Sequence, residues 1–198
     1  MKPFPTIYFI RHGQTDWNAE GRLQGQRDIA LNALGQVQAA DAADRLATLA
    51  GAGVAEADFV ASPLLRTRRT MEILRDRLGL APAAYRSDPR LMEIDFGNWE
   101  GQTWAEIRRS DPGGAGARDR DRWGYRPSGT RAESYAMLTE RVAPVFASLD
   151  RPAVVVAHGG VARAMLVALG HLDIKAAPRI AIRQGAVLVV DPAGWRWA

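Results

Sequence analysis

Short, uninterrupted apolar runs alternate along this chain with longer stretches in which apolar residues recur every three or four positions. Ile7, Tyr8, Phe9 and Ile10 form the first run, β-branched or aromatic throughout, which is the pattern of a strand buried on both faces of a parallel sheet. Residues 58–62 and 153–157 read the same way. Between the first two runs Leu34, Val37, Leu46 and Leu49 recur in an Ala-rich segment that predicts a helix over 34–49, ending near Gly51. Ser62-Pro63 has the form of a cap followed by proline at the first helical position, and the helix it opens carries Leu64, Met71, Leu74 and Leu78 on one face before stopping at Gly79. Tyr135, Leu138, Val142, Val145 and Leu149 predict another helix, with Pro144 imposing a kink or an early stop. An apolar helix over 161–169 follows the third run. Residues 180–183 and 186–190, separated by Gln184-Gly185, pattern as a hairpin at the sheet edge. Strands alternating with helices imply a layered α/β domain with a largely parallel sheet. Residues 111–130, rich in Gly, Arg, Asp and Pro, interrupt the alternation and read as a loop or lid.

Length fits a single domain over 1–198 with a sizeable core. A hydrophobic share of 47% and a charged share of 24% exclude disorder over the whole chain. No apolar run approaches the roughly 18 residues of a membrane span, and residues 1–10 lack the features of a signal peptide, so a cytoplasmic protein without a membrane partner is expected. Cysteine is absent, which excludes disulfides, thiolate metal sites and a cysteine nucleophile. A net charge of +4 and a pI near 9.9 raise nucleic acid as a partner. However, the basic residues are almost all arginine and are interspersed with acids, as in Arg118-Asp119-Arg120-Asp121-Arg122. Without a basic arm or stripe, no nucleic-acid partner is expected.

The histidines change the picture. His12 follows the first apolar run beside Arg11, and His158-Gly159-Gly160 follows the third. Carboxyl ends of parallel strands share one sheet edge, where open α/β sheets bind ligands, so the two histidines should face each other. Gly13 permits a sharp turn, and Thr15 and Asn18 supply short polar groups beside it. Two histidines with a carboxylate such as Glu93 could hold a metal, but the fixed cation Arg11 opposes it, and neither metal nor cofactor is expected. Trp99, Trp104 and Trp123 read equally as pocket lining or core, and His171 as a partner of a helix C-terminus.

The run Arg11-His12-Gly13-Gln14-Thr15-Asp16-Trp17-Asn18 resembles the signature of the histidine phosphatase superfamily, which includes cofactor-dependent phosphoglycerate mutases and many small-molecule phosphatases. The resemblance continues through Gly21-Arg22-Leu23-Gln24-Gly25-Gln26-Arg27-Asp28, through Ser62-Pro63-Leu64-Leu65-Arg66, through residues 91–101, and through His158-Gly159-Gly160. It implies a three-layer α/β/α fold with a mostly parallel sheet and one antiparallel edge strand. It further implies that His12 is a nucleophile carrying the phosphoryl group, and that Arg11, Arg66 and a protonated His158 stabilise it. Thr15, Asn18, Gln24, Gly25 and Gly159 would assist in binding phosphate. Glu93 would be the acid that protonates the leaving oxygen and later activates water.

Within that family, the housekeeping mutases carry Glu-Arg-aromatic-Tyr-Gly where this chain has Glu93-Ile94-Asp95-Phe96-Gly97. The segment Phe96 to Gly101 looks more like broad-specificity and α-ribazole phosphatases. Thr67 stands where alanine is usual. The expected activity is hydrolysis of a small-molecule phosphate ester, with two other readings open: a mutase, or a catalytically weak member binding a phosphorylated ligand or a protein. A homodimer stays open as well.

Overall fold

Three of the apolar runs become neighbouring parallel strands in one sheet. The computed structural model describes residues 4–198. Its strands are β1 (Ile7–Arg11), β2 (Asp58–Ala61), β3 (Arg86–Ser87), β4 (Ala153–Ala157), β5 (Leu188–Asp191) and β6 (Gly194–Trp197), in the order β3-β2-β4-β1-β5-β6. The first four run parallel; β5 is antiparallel to β1, and β6 to β5. The helices are α1 (Asp16–Ala19), α2 (Ala33–Ala50), α3 (Leu65–Arg77), α4 (Trp104–Ser110), α5 (Pro112–Arg120), α6 (Tyr135–Ala147) and α7 (Gly159–Ala168).

The layering follows from the period-two geometry of β4, whose five residues are all buried. Ala153, Val155 and Ala157 pack with Ile7, Phe9 and the apolar faces of α6 and α7. Val154 and Val156 pack on the other side with Ile10 and with Leu46, Met71 and Leu74 of α2 and α3. A strand covered on both faces has no polar position to offer, and each fully buried Val contributes about 1.5–3 kcal/mol.

Several expectations are corrected. The hairpin is β5–β6, turning at 191–194, where the Asp191 carboxylate accepts from the Ala193 N–H at 2.9 Å. Residues 180–183 form no strand, and the antiparallel strand β5 lies inside the edge, with β6 outermost. The Asp-Pro-Ala-Gly turn outweighs Gln184-Gly185. In α2 the buried face is only partly the one marked: Leu46 is buried as expected, but Leu34 and Val37 are 50% and 56% exposed, and Gly35, Ala39, Ala42 and Ala43 take the core positions. Close approach explains this, because a Cβ on Gly13 would overlap the Gly35 backbone. Ser62 does not cap α3; that helix begins at Leu65, whose N–H donates to the Asp28 carboxylate at 2.6 Å from a distant loop. Pro144 is accommodated inside α6, which ends at Ala147. The segment 111–130 is irregular only in part. Asp111 accepts from the Gly114 N–H at 2.8 Å and Pro112 occupies the first turn, so α5 forms there.

Candidate active site

Strand register brings the two histidines together. Arg11 pairs with Ala157 and Ala61 with Val156, so the residues that follow β1, β4 and β2 (His12, His158 and Ser62) emerge side by side. The imidazole rings of His12 and His158 lie 5.2 Å apart between centroids. His12 Nδ1 is 2.7 Å from the Gly13 carbonyl oxygen. That oxygen can only accept, so Nδ1 carries the proton and Nε2 presents a lone pair. His158 Nε2 is 2.8 Å from Ser62 Oγ, and its Nδ1 is buried without a partner.

Beside the His12 ring is a cavity of about 160 Å³. Arg66, fully buried, donates to the carbonyls of Arg27 at 2.6 Å and Gly25 at 2.8 Å. Arg11 donates to the Ile182 carbonyl at 2.8 Å. Carbonyl oxygens hold both guanidinium groups in place and leave the Nε of each buried and unpaired. Burial lowers both pKa values, that of Arg66 to about 10, so both remain cations at neutral pH. Gln24 Oε1 is a further buried atom without a partner, and Gln24, Gly25 and Gly159 line the same cavity. Buried polar groups are nearly always paired, so this concentration of orphans, with two guanidinium donors among them, describes a seat for an anion.

Thr15 lies behind the cavity. Its hydroxyl caps α1 at the Asn18 N–H, 3.2 Å away, and its own N–H donates to Asn18 Oδ1. Gln184 Nε2 donates to the same oxygen at 3.0 Å and to the His12 carbonyl at 3.1 Å. With Oδ1 occupied, the Asn18 amide NH₂ is what faces the cavity.

Glu93 is held by its backbone as much as by its side chain. Its carboxylate accepts from the N–H groups of Ile94 at 3.0 Å and Gly160 at 3.1 Å, and a Cβ on Gly160 would overlap it. Arg141, paired with Glu133 at 2.6 Å, donates to the carbonyls of Arg90, Met92 and Glu93, while Glu133 accepts from the Asp95 N–H. Neither Arg141 nor Glu133 was singled out from the sequence.

The cavity wall adds Arg22, Leu23, Phe96, Tyr135 and Arg163, all missed by sequence reasoning. Arg163 carried a usable signal: it lies four residues after Gly159 on α7 and so shares its face. Ser62 and Gln184 carried none. Trp99, Trp104 and Trp123 do not line the cavity; Trp99 is buried, stacks on Tyr125 and donates to Asp111 at 3.0 Å. His171 packs edge-on against Phe4. Among the described residues no group of three or more His, Asp or Glu side chains is arranged to hold a metal ion.

Burial, reinforced by Arg66, holds both histidines well below the usual pKa of 6.5; Arg11 adds to the effect on each. These shifts favour the neutral form of His158 in the absence of an anion, and a bound dianion favours the protonated form that the resemblance implies. Linkage gives a testable sign. Below about pH 6.5 the unfolded chain binds protons at these positions that the folded chain refuses, so stability falls as pH drops from 6.5 toward the lowered folded values. Urea midpoints should decrease between pH 7.5 and pH 5.5, and the decrease should shrink in His158→Asn. An equal decrease in both proteins would show that His158 titrates normally.

Comparison with known proteins gives concordant results. The family model for the histidine phosphatase superfamily (branch 1) matches residues 7–198. A glucosyl-3-phosphoglycerate phosphatase of Mycobacterium tuberculosis is 35% identical over 184 residues, covering 88% of this chain and 79% of the relative. A Klebsiella pneumoniae protein bearing the name "Probable phosphoglycerate mutase GpmB" is 33% identical over 192 residues, covering 93% and 84%. The solved structure of mycobacterial glucosyl-3-phosphoglycerate phosphatase with VO3 superposes with a TM-score of 0.80 at 32% identity, covering 98% of this chain and 97% of that one. With nearly its whole length matched, the chain belongs to branch 1 of the histidine phosphatase superfamily.

Proposed function

We propose that the chain is a phosphatase that hydrolyses a small-molecule phosphomonoester through a phosphohistidine on His12. One observation carries this reading. The only atom that the Gly13 hydrogen bond leaves as a nucleophile, His12 Nε2, belongs to a ring set among the unpaired cationic donors of Arg11 and Arg66. In the first step Nε2 bonds to phosphorus as the bond to the leaving oxygen breaks, and Glu93 gives that oxygen a proton. In the second, water attacks the phosphohistidine, Glu93 takes the water's proton, and His12 returns to its starting form. Arg11, Arg66, His158, Asn18 and the Gly159 N–H at the start of α7 stabilise charge on the equatorial oxygens. Gly13 steadies the positive charge that develops on the ring. Thr15 acts through Asn18, and Gln24 and Gly25 shape the phosphate seat.

The resemblance to the GpmB protein keeps a mutase as the second reading. Ile94, standing where mutases carry arginine, is 3% exposed and packed in the core, so it supplies no cation to a second substrate group. Among the described residues no helix is long and apolar enough to cross a membrane. A cytoplasmic enzyme with neither membrane nor nucleic-acid partner is part of the same proposal.

Phosphate release from a panel of phosphorylated metabolites tests the activity; no release from any would refute it. With two buried guanidinium groups in place and His158 able to take a proton as a dianion binds, the chemistry needs no metal. Turnover should survive exhaustive chelation, and vanadate, which can adopt a trigonal-bipyramidal geometry, should inhibit. Activity lost on chelation and restored by zinc or magnesium would replace this mechanism with a metal-assisted one.

A further inference from the structure

One buried hydroxyl beside the site can send its proton to a single place. Ser62 follows β2, and its N–H donates to the Val156 carbonyl of β4 at 3.1 Å. Its carbonyl accepts from the Thr67 hydroxyl at 2.9 Å, a contact that alanine at position 67 could not make. Its Oγ accepts from the Leu64 N–H at 3.4 Å and lies 2.8 Å from His158 Nε2. Ser62 is fully buried, and among the described residues its Oγ has no further hydrogen-bond partner.

A buried hydroxyl proton is seldom left unpaired, and the Leu64 N–H can only donate. The acceptor that remains is the lone pair of His158 Nε2, so Ser62 donates to it. In the neutral ring the proton of His158 is then on Nδ1.

Both histidines thus have the same tautomer, held from opposite ends. In His12 the tied nitrogen is Nδ1, which donates to the Gly13 carbonyl, and Nε2 is left with a lone pair. In His158 the tied nitrogen is Nε2, and the buried atom without a partner is Nδ1 with its proton. A carbonyl can only accept, so it leaves a nucleophile; a hydroxyl can donate, so it leaves an N–H. The two rings lie 5.2 Å apart between centroids, and Gly159, next to His158 in the chain, lines the cavity beside His12. One imidazole is fitted to attack phosphorus and the other to donate to its oxygens.

We infer that Ser62 is a positioning residue that holds the proton of His158 on Nδ1, so that His158 donates a hydrogen bond to the phosphoryl group without first gaining a proton. The inference rests on the phosphatase reading for the acceptor and goes beyond it in placing the donor's proton. Because a hydroxyl also accepts, Ser62 keeps its contact with Nε2 when a bound dianion brings a second proton to the ring.

Two measurements test it. ¹⁵N NMR of the histidine side chains in the ligand-free protein at about pH 8, above the ordinary histidine pKa, distinguishes protonated from bare ring nitrogens. The chain has three histidines, so His12→Ala and His158→Ala assign the signals. His158 should show a protonated Nδ1 and a bare Nε2. A protonated Nε2 overturns the inference, whether or not Nδ1 is protonated as well. The second measurement is kcat/KM for p-nitrophenyl phosphate in a double-mutant cycle. Ser62→Ala leaves Nε2 buried without a donor and should lower kcat/KM about tenfold or more, the cost of an unpaired buried acceptor. The backbone contacts of residue 62 with Val156 and Thr67 survive the substitution. In a His158→Ala background the same change should alter kcat/KM by less than about twofold, since Ser62 then has no ring to act through. Equal losses in both backgrounds overturn the inference, assigning Ser62 to the entry of α3, and so does the absence of any loss in the wild-type background. If wild type releases no phosphate from this ester or from the metabolite panel, the phosphatase reading is refuted and the phosphoryl acceptor falls with it, whereas the NMR result decides the proton's place independently.

Discussion

A His12→Ala protein is expected to lose phosphate release by about 10⁴-fold or more, because the substitution removes the nucleophile and leaves only binding and charge stabilisation. The neighbouring groups cannot take over. His158 Nδ1 is buried, its Nε2 is engaged with Ser62, and the remaining cavity donors carry protons rather than lone pairs. Wild type, quenched at neutral or alkaline pH during turnover of a labelled substrate, should show a phosphoenzyme that survives base and is lost in acid, as an N–P bond requires. The variant should show none. An acid-stable phosphoenzyme in wild type would transfer the role to a hydroxyl, and retained labelling in His12→Ala would remove it from this residue. The variant should remain folded, since the His12 side chain makes one hydrogen bond, to its neighbour Gly13. Losing a buried titratable group should also reduce the destabilisation expected below pH 6.5.

The placement of the two histidines was legible because their strands are buried on both faces, and an uninterrupted apolar run ending in Arg-His or His-Gly-Gly marks its own carboxyl end. Arg66 and Glu93 became legible through the resemblance of their segments. What escaped depended on contacts distant in sequence. Ser62 looked like a helix cap because Ser-Pro commonly is one, yet β2 ends beside β4, and its hydroxyl serves His158. Gln184 looked like part of a turn, although its amide reaches back to His12 and Asn18. Likewise, the Arg141–Glu133 pair supports the Glu93 segment only because α6 packs against it. On α2 the periodicity was sound and Leu46 is on the buried face, but Leu34 and Val37 are not. Large apolar residues advertise burial, but a helix pressed against the Gly13 turn has room only for glycine and alanine there.

Glu93→Gln is expected to slow alkyl phosphates by about 10²–10⁴-fold, the usual range for general acid catalysis, and aryl phosphates far less. The amide keeps the shape of the carboxyl group, and its oxygen can still accept from the Ile94 and Gly160 N–H groups. What it cannot do is give up a proton. An alkoxide needs that proton to leave, whereas p-nitrophenolate does not, so the leaving group reports the role directly. Equal slowing of both substrate classes would assign Glu93 to structure or to the later water step. A milder variant extends the argument to the frame around it: Arg141→Lys keeps a cation near Glu133 but cannot span three carbonyls, so its defect should follow the same alkyl-over-aryl ordering. The same assays decide between hydrolysis and phosphoryl transfer. Without added bisphosphoglycerate, wild type should release inorganic phosphate, because Ile94 is buried where mutases place a cation. Conversion of 3-phosphoglycerate to 2-phosphoglycerate with negligible phosphate release would establish the mutase instead, with Glu93 then shuttling its proton between two substrate hydroxyls rather than to water.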